Sequence, residues 1–136
     1  MNVQPIEIVA RRDALGLSQV KLAQWLPWKH TRISEAEQGK RLWPSWATER
    51  LKGAEDILDS IAETLLGAGL AQMASGAGAV IIPTYFNDQE FWADWPDLDG
   101  LPAGVHRMAA VEAMKSLRDE GVEVRIIDAG ASQEKS

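Results

Sequence analysis

The sequence contains no cysteine and only two histidines among its 136 residues. The absence of cysteine excludes disulfide bonds and thiolate metal sites, so a reducing compartment is the simpler expectation. No window approaches the roughly 18 apolar residues that a membrane span needs. The N-terminus has neither the basic nor the apolar region of a signal peptide. We therefore expect a cytoplasmic protein that is neither exported nor embedded in a membrane.

The two histidines give no indication of a metal site or a catalytic site. Neither His30 nor His106 has a metal-ligating residue three or four positions away, so no metal site is expected. We interpret His106 as a residue of a helix surface or an interface. Acidic pairs such as Asp97 and Asp99 are better explained as solvated charges than as an acid–base pair. The sequence predicts no cofactor and no enzymatic activity.

The composition is that of an ordinary globular chain, with 46% apolar and 25% charged residues. The net charge of -6 is distributed unevenly. Residues 1–52 contain nine lysines and arginines and five acidic residues, a net +4, whereas residues 53–136 carry -10. This asymmetry indicates a polyanionic partner for the first part only, and we interpret the acidic part as a solvated surface.

The basic part has the pattern of three short helices. Apolar spacing predicts a first helix over about 5–15, which Gly16 ends. Ser18 is expected to cap a second helix that Pro27 ends. A third helix is predicted over about 29–38. Two short helices joined by a tight turn and preceded by another helix form a helix-turn-helix pattern.

A long fourth helix is predicted over about 46–66. Its apolar face exceeds what three small helices can cover, so the C-terminal region or a second subunit must cover the remainder. The glycine-rich residues 67–79 predict a frayed helix end and a flexible linker. A phosphate-binding loop is the alternative, but no GxGxxG or Walker pattern is present.

The C-terminal part predicts two strands and two helices. Residues 80–86 and 122–128 have the β-branched content of strands that can pair with each other. Helices are predicted at about 89–95 and 103–120, and residues 129–136 are predicted to be disordered. The fold class is therefore mainly α with a small C-terminal α+β part, in the order helix-turn-helix bundle, long helix, strand-helix-helix-strand.

Two short motifs carry a family resemblance. Leu17-Ser18-Gln19, followed by Leu22-Ala23, is similar to the start of the second helix in XRE-type, lambda-repressor-like DNA-binding domains. Glu37-Gln38-Gly39-Lys40-Arg41 is similar to the end of the third helix in that family. The family usually has a glycine where Pro27 stands and a small polar residue where Lys29 stands.

This resemblance implies a role for each matching position. The start of the third helix would enter the major groove and read bases through His30, Thr31, Arg32 and Ser34. Arg32 is the first candidate, because its guanidinium can donate two hydrogen bonds to guanine. Backbone phosphates would be bound by Gln19, Lys21, Lys29, Lys40 and Arg41. Glu35 would accept from a cytosine or, alternatively, pair internally with Arg32.

The whole chain also resembles the anti-CRISPR-associated (Aca-type, YdiL-like) autorepressors. The matching features are Glu37-x-Gly39 followed by Pro44, a long helix, Pro83-x-Tyr85-Phe86 followed by Phe91, Arg107, and a closing strand that ends Ile127-Asp128. His106 stands where that family tends to have tryptophan. The resemblance implies a homodimer formed through the C-terminal domain, which reads an inverted repeat in its own promoter with two recognition helices ~34 Å apart.

We expect four segments: a DNA-binding domain (1–66), a linker (67–79), a dimerisation domain (80–128) and a tail (129–136). The aromatic residues expected in the dimer interface or the core are Tyr85, Phe86, Phe91, Trp92 and Trp95. Base stacking and the lining of a ligand pocket are the alternatives for them.

The predicted function is that of a sequence-specific repressor of double-stranded DNA. One alternative is the antitoxin of a toxin–antitoxin pair, whose acidic half would bind a basic toxin. The other is a protein-interaction or ligand-sensing module.

Overall fold

The computed structural model describes residues 3–130, which are mainly helical. The elements in chain order are α1 (Pro5–Ala14), α2 (Gln19–Trp25), α3 (His30–Glu37), α4 (Ser45–Ala74), β1 (Ala79–Thr84), α5 (Asp88–Asp94), a short 3-10 turn (Pro96–Leu98), α6 (Ala103–Asp119) and β2 (Glu123–Asp128). The predicted fold class is confirmed. In this described part, no helix is both long and apolar enough to cross a membrane.

Local signals explain the three N-terminal helices. Pro5 occupies the first turn of α1, where its missing N–H costs nothing. Gly16 follows α1 with φ +69°, a left-handed conformation that favours glycine. The Ser18 hydroxyl caps α2 by accepting a hydrogen bond from the backbone N–H of Lys21 at 3.1 Å. The three helices therefore begin and end close to the predicted residues.

Helix α4 is longer than predicted. It continues to Ala74 instead of ending near residue 66, so most of the predicted linker is helical. The reason is packing at Gly69, which is buried against α6 and β1. A Cβ added there would lie 2.6 Å from Leu117 and 3.2 Å from Val80. Gly69 thus permits a close helix approach rather than chain flexibility.

The two strands form a parallel sheet with Ala79 opposite Glu123 and Thr84 opposite Asp128. The predicted pairing of the two strands is confirmed. A parallel pair needs a long crossover connection, and α5 and α6 supply it. The side chains of Val80, Ile82 and Val124 are buried in the core.

The predicted disorder of residues 129–136 is wrong for its first two residues. Ala129 and Gly130 are buried, and the Gly130 N–H donates to the carboxylate of Asp128 at 2.9 Å. The rest of that segment, 131–136, lies outside the described residues.

The N-terminal and C-terminal parts share one hydrophobic core, which runs from Ile8 to Ala129. One close approach between them is the contact of the turn after α1 with the start of α6. A Cβ added at Gly104 would lie 2.5 Å from the carbonyl oxygen of Gly16. Two glycines at this contact let the backbones pack directly, which fixes the position of α6 against the helix-turn-helix.

Candidate nucleic-acid interface

A hydrogen-bonded frame holds α1, α2 and α3 together. Arg12 of α1 binds Glu37 of α3 through two hydrogen bonds of 2.7 and 2.9 Å. Gln19 of α2 donates to the same carboxylate at 2.9 Å, and a third Arg12 nitrogen donates to the carbonyl of Leu17 at 3.0 Å. A bidentate pair of this kind fixes both distance and orientation. The frame therefore sets the angle at which α3 is presented.

The side chains of this frame are almost excluded from water, with exposed fractions of 14% for Arg12 and 7% for Glu37. Burial alone would raise the pKa of Glu37, but the hydrogen bonds from Arg12 and Gln19 outweigh it and lower that pKa. The bond to Glu37 raises the pKa of Arg12 against the opposing effect of burial. Both groups are therefore held in their charged forms.

The turn between α2 and α3 departs from the usual geometry at Pro27. Its φ is +25°, a left-handed value that glycine adopts freely and the proline ring resists. The turn is closed by a hydrogen bond from the Trp28 N–H to the carbonyl of Ala23 at 3.1 Å. The Trp28 ring packs edge-on against Trp43 and Trp46, each at 5.8 Å between ring centroids. Packing against the start of α4 thus stabilises a turn that the proline strains.

The start of α3 projects polar side chains into solvent. His30, Thr31 and Arg32 are exposed, while Ile33 and Ala36 on the opposite face are buried. Within residues 3–130, no hydrogen bond or ion pair engages the side chains of these three residues. Ser34 is half-buried, and its hydroxyl accepts from Gln38 at 3.1 Å. Three of the four predicted base-reading side chains are therefore available to a partner.

The five predicted phosphate-binding residues divide into two groups. The side chains of Lys29 and Lys40 are exposed and meet no partner in the described part of the chain. The other three are engaged: Gln19 with Glu37, Lys21 with Asp88 at 2.8 Å, and Arg41 with Glu35 at 2.9 Å. Glu35 pairs internally, but its partner is Arg41 and not the predicted Arg32. The Arg32 side chain points to solvent.

Asp88 connects this surface to the C-terminal part. One of its carboxylate oxygens accepts from Lys21, and the other accepts from the backbone N–H of Ala103 at 2.8 Å, at the start of α6. Burial raises the pKa of Asp88, but the bonds from Ala103 and Lys21 more than compensate, so the pKa is lowered. A carboxylate from the acidic part of the chain thus neutralises a lysine of the helix-turn-helix.

The predicted dimer-interface aromatics do not form one surface. Tyr85 and Phe91 are buried in the core of the chain itself, and Trp92 and Trp95 are half-buried. Only Phe86 is largely free, with 77% of its surface exposed. Four of the five side chains therefore contribute to the fold of this chain, and one remains for a partner.

His106 is buried and not at a surface, contrary to the sequence-based interpretation. It is 1% exposed and lies 4.9 to 5.5 Å, between ring centroids, from Tyr85, Phe91 and Trp95. Its Nδ1 shares a 2.7 Å hydrogen bond with the Thr84 hydroxyl. Burial, assisted by the nearby Arg107 charge, lowers the pKa of His106 to about 4. The imidazole is therefore a neutral core residue at neutral pH.

Several contacts of the arginines have no signal in the local sequence. Arg12 was counted as a cation, but its partner Glu37 is 25 positions away, and no local pattern joins them. Arg50 was treated in the same way; it donates to the carbonyl of Trp25 at 2.7 Å, and its guanidinium lies 3.8 Å from the centre of that ring. Both arginines therefore anchor helices of the N-terminal part.

Within residues 3–130, no three side chains of His, Cys, Asp or Glu are grouped so that they could hold a metal ion. A scan against protein-family models found no match for the chain, and a search of curated proteins found no similar sequence.

Proposed function

We propose that this chain is a transcriptional repressor that binds double-stranded DNA through α3 and regulates its own operon as a homodimer on an inverted repeat. The observation that carries the proposal is the exposed, unengaged set of His30, Thr31 and Arg32 at the start of α3. These side chains project from a helix that the Arg12–Glu37 pair holds rigidly, which is what reading base edges in a major groove requires.

The charge arrangement supports the same proposal. Lys29 precedes α3 and Lys40 follows it, so cations flank the helix that would enter the groove. Such flanking cations bind phosphates on either side of a groove and supply most of the sequence-independent affinity. The XRE-type motifs and the Aca-type resemblance point in the same direction, and the protein would act without a cofactor or catalytic step.

The experiment compares Arg32→Ala with Lys40→Ala. The operator would first be located by footprinting the DNA upstream of the chain's own coding region. Arg32→Ala should cost about 1–3 kcal/mol on that operator and relax sequence preference, because a base contact is lost. Lys40→Ala should weaken operator and random DNA alike and reduce the salt dependence. Equal effects of the two variants on both DNAs would contradict the assignment of Arg32 to base reading.

A second candidate is the antitoxin of a toxin–antitoxin pair. It is favoured by a groove between α4 and α6 whose charged lining residues are all acidic: Asp59, Glu63 and Glu112. Opposite charge steers the association of proteins, so a basic toxin would suit this groove. Co-purification of a basic protein encoded by the adjacent gene, lost on Asp59→Lys, would support this candidate.

A further inference from the structure

The two strands of the sheet have unequal outer edges. In β1, the side-chain amide of Gln72 binds the backbone of Ile81, accepting from its N–H at 2.8 Å and donating to its carbonyl at 2.9 Å. Two positions further along the same edge, Pro83 has no N–H to offer. A side chain that imitates a strand and a proline together close this edge to any partner strand.

In the part of the chain that the structure describes, the outer edge of β2 has neither a side chain that imitates a strand nor a proline. In a parallel pair, only one of two directly opposite residues points its backbone groups at the other strand. Ile81 points outwards to Gln72, so its partner Arg125 points to β1, and Val124 and Ile126 point outwards. Among residues 3–130, no side chain binds the backbone N–H or carbonyl of Val124 or Ile126. β2 is therefore an open edge next to a closed one.

We propose that the outer edge of β2 pairs antiparallel with β2 of a second copy, with Val124 opposite its own equivalent on the two-fold axis. The inference rests on the proposed function, which requires two copies of the chain, and it assigns the contact between them. The product is a four-stranded sheet in the order β1-β2-β2-β1, and sheets of that size are far more stable than isolated strand pairs.

The side chains of β2 are complementary to themselves in this register. On the exposed face, Glu123 and Arg125 already pair within each chain at 2.8 Å. In the dimer, Glu123 of each copy also lies opposite Arg125 of the other, which adds two opposite-charge pairs across the axis. On the inward face, Val122 lies opposite Ile126 of the other copy, and the two Val124 side chains meet. A register shifted by one residue would place inward side chains of one copy beside outward side chains of the other. A register with Arg125 on the two-fold axis would place two arginines opposite each other.

A second copy fits this edge better than residues 131–136 do. Residues 131–136 read Ala-Ser-Gln-Glu-Lys-Ser, with no β-branched or aromatic residue to favour a strand. A six-residue edge buries less than the roughly 800 Å² per partner of a standard interface. We therefore expect a dimer that dissociates at micromolar concentrations.

Charge reversal tests the register. Sedimentation of the full chain without DNA, up to about 100 µM, should show a monomer–dimer equilibrium. Glu123→Arg and Arg125→Glu should each raise the dissociation constant about tenfold, because each opposes like charges at both pairs. The double variant should return it to within about twofold of the original, as opposite charges again face each other. Single variants that dimerise like the original chain would overturn the register.

Ile126→Pro tests the edge itself. The substitution removes an outward N–H and spares the bonds to β1, so the monomer should fold, as checked by circular dichroism, but no longer dimerise. A dimer that survives this change, or an original chain that stays monomeric throughout, would overturn the proposal. A chain that dimerises through β2 but does not bind DNA would overturn the proposed function alone. If the Ile126→Pro variant still dimerises and binds DNA, the β2 interface would be overturned and the proposed function would stand.

Discussion

His30 lies exposed at the start of α3, whereas His106 of α6 is 1% exposed and enclosed by three aromatic rings. The same contrast extends to the two parts of the chain. In the N-terminal part, ion pairs and aromatic contacts hold the helices while polar side chains point outwards. In the C-terminal part, His106 and most of the aromatic side chains contribute to the core. The outer edge of β2 presents backbone N–H and carbonyl groups. One part presents side chains to a partner, and the other presents main chain.

The contrast suggests different kinds of recognition. Side chains on a rigid helix can discriminate between ligands of similar shape, because each donor or acceptor must be matched. A strand edge binds through main-chain groups, so its selectivity depends on the side chains beside it. A surface of the first kind suits a nucleic acid with a readable sequence. A surface of the second kind suits self-association.

The largest expected effect concerns the frame that makes α3 rigid. Glu37→Ala should lower the free energy of unfolding by about 3 kcal/mol, because it leaves the nearly buried Arg12 without its partner. Glu35→Ala is a matched control on the same helix. Glu35 and Arg41 are 41% and 42% exposed, and an ion pair of that kind contributes about 1 kcal/mol or less. Urea unfolding of the two variants would measure both values, and similar losses would show that the frame is not what holds α3.

The buried imidazole of His106 should make the stability of the chain depend on pH. The pKa of His106 is about 4 in the folded chain against 6.5 when unperturbed, so the unfolded chain binds the extra proton first as pH falls. Stability should therefore decrease by about 2 kcal/mol between pH 7 and pH 4.5, with no further loss from this residue well below pH 4. Below that window, Glu37 and Asp88 continue the loss, since their pKa values are lowered by folding.

His106→Gln removes this titration while keeping a group that can hydrogen-bond to Thr84. Denaturant unfolding at a series of pH values should show a flatter profile between pH 7 and 4.5 for this variant. His30→Ala is the control, because it removes an exposed histidine of α3 and leaves the surroundings of His106 intact. An unchanged slope in His106→Gln would mean that the caged imidazole is not the group that titrates.

The elements of the N-terminal part could be predicted because their signals are local. Gly16 follows α1 and Ser18 caps α2, so each lies next to the helix end that it specifies. The pairing of the strands could be predicted too, because β-branched residues mark both segments.

Most of the failures involve contacts between distant residues. Gly69 looked like a linker residue because its reason for being small, the approach of Leu117, lies on another helix. His106 looked like a surface residue because the rings around it come from other segments: Tyr85 after β1, Phe91 in α5 and Trp95 just after α5. In the candidate site, the exposure of Arg32 was predictable, whereas the pairing of Lys21 with Asp88, 67 positions away, was not.

The smallest expected effect concerns the contact between the N-terminal and C-terminal parts of the chain. Asp88→Asn keeps an oxygen that can accept from the Ala103 N–H and removes the charge that pairs with Lys21. Lys21 then becomes available to a phosphate, so binding to random DNA should tighten by about two- to fivefold at low salt, and the salt slope should rise by about one unit. Fluorescence anisotropy over a salt series would measure both. The double variant Asp88→Asn/Lys21→Ala should lose the gain; a gain that persists without Lys21 would place the effect elsewhere on the surface. If the gain depends on Lys21, the C-terminal part limits the DNA affinity of the helix-turn-helix through one carboxylate, and the division between the two surfaces is a matter of charge as well as of shape.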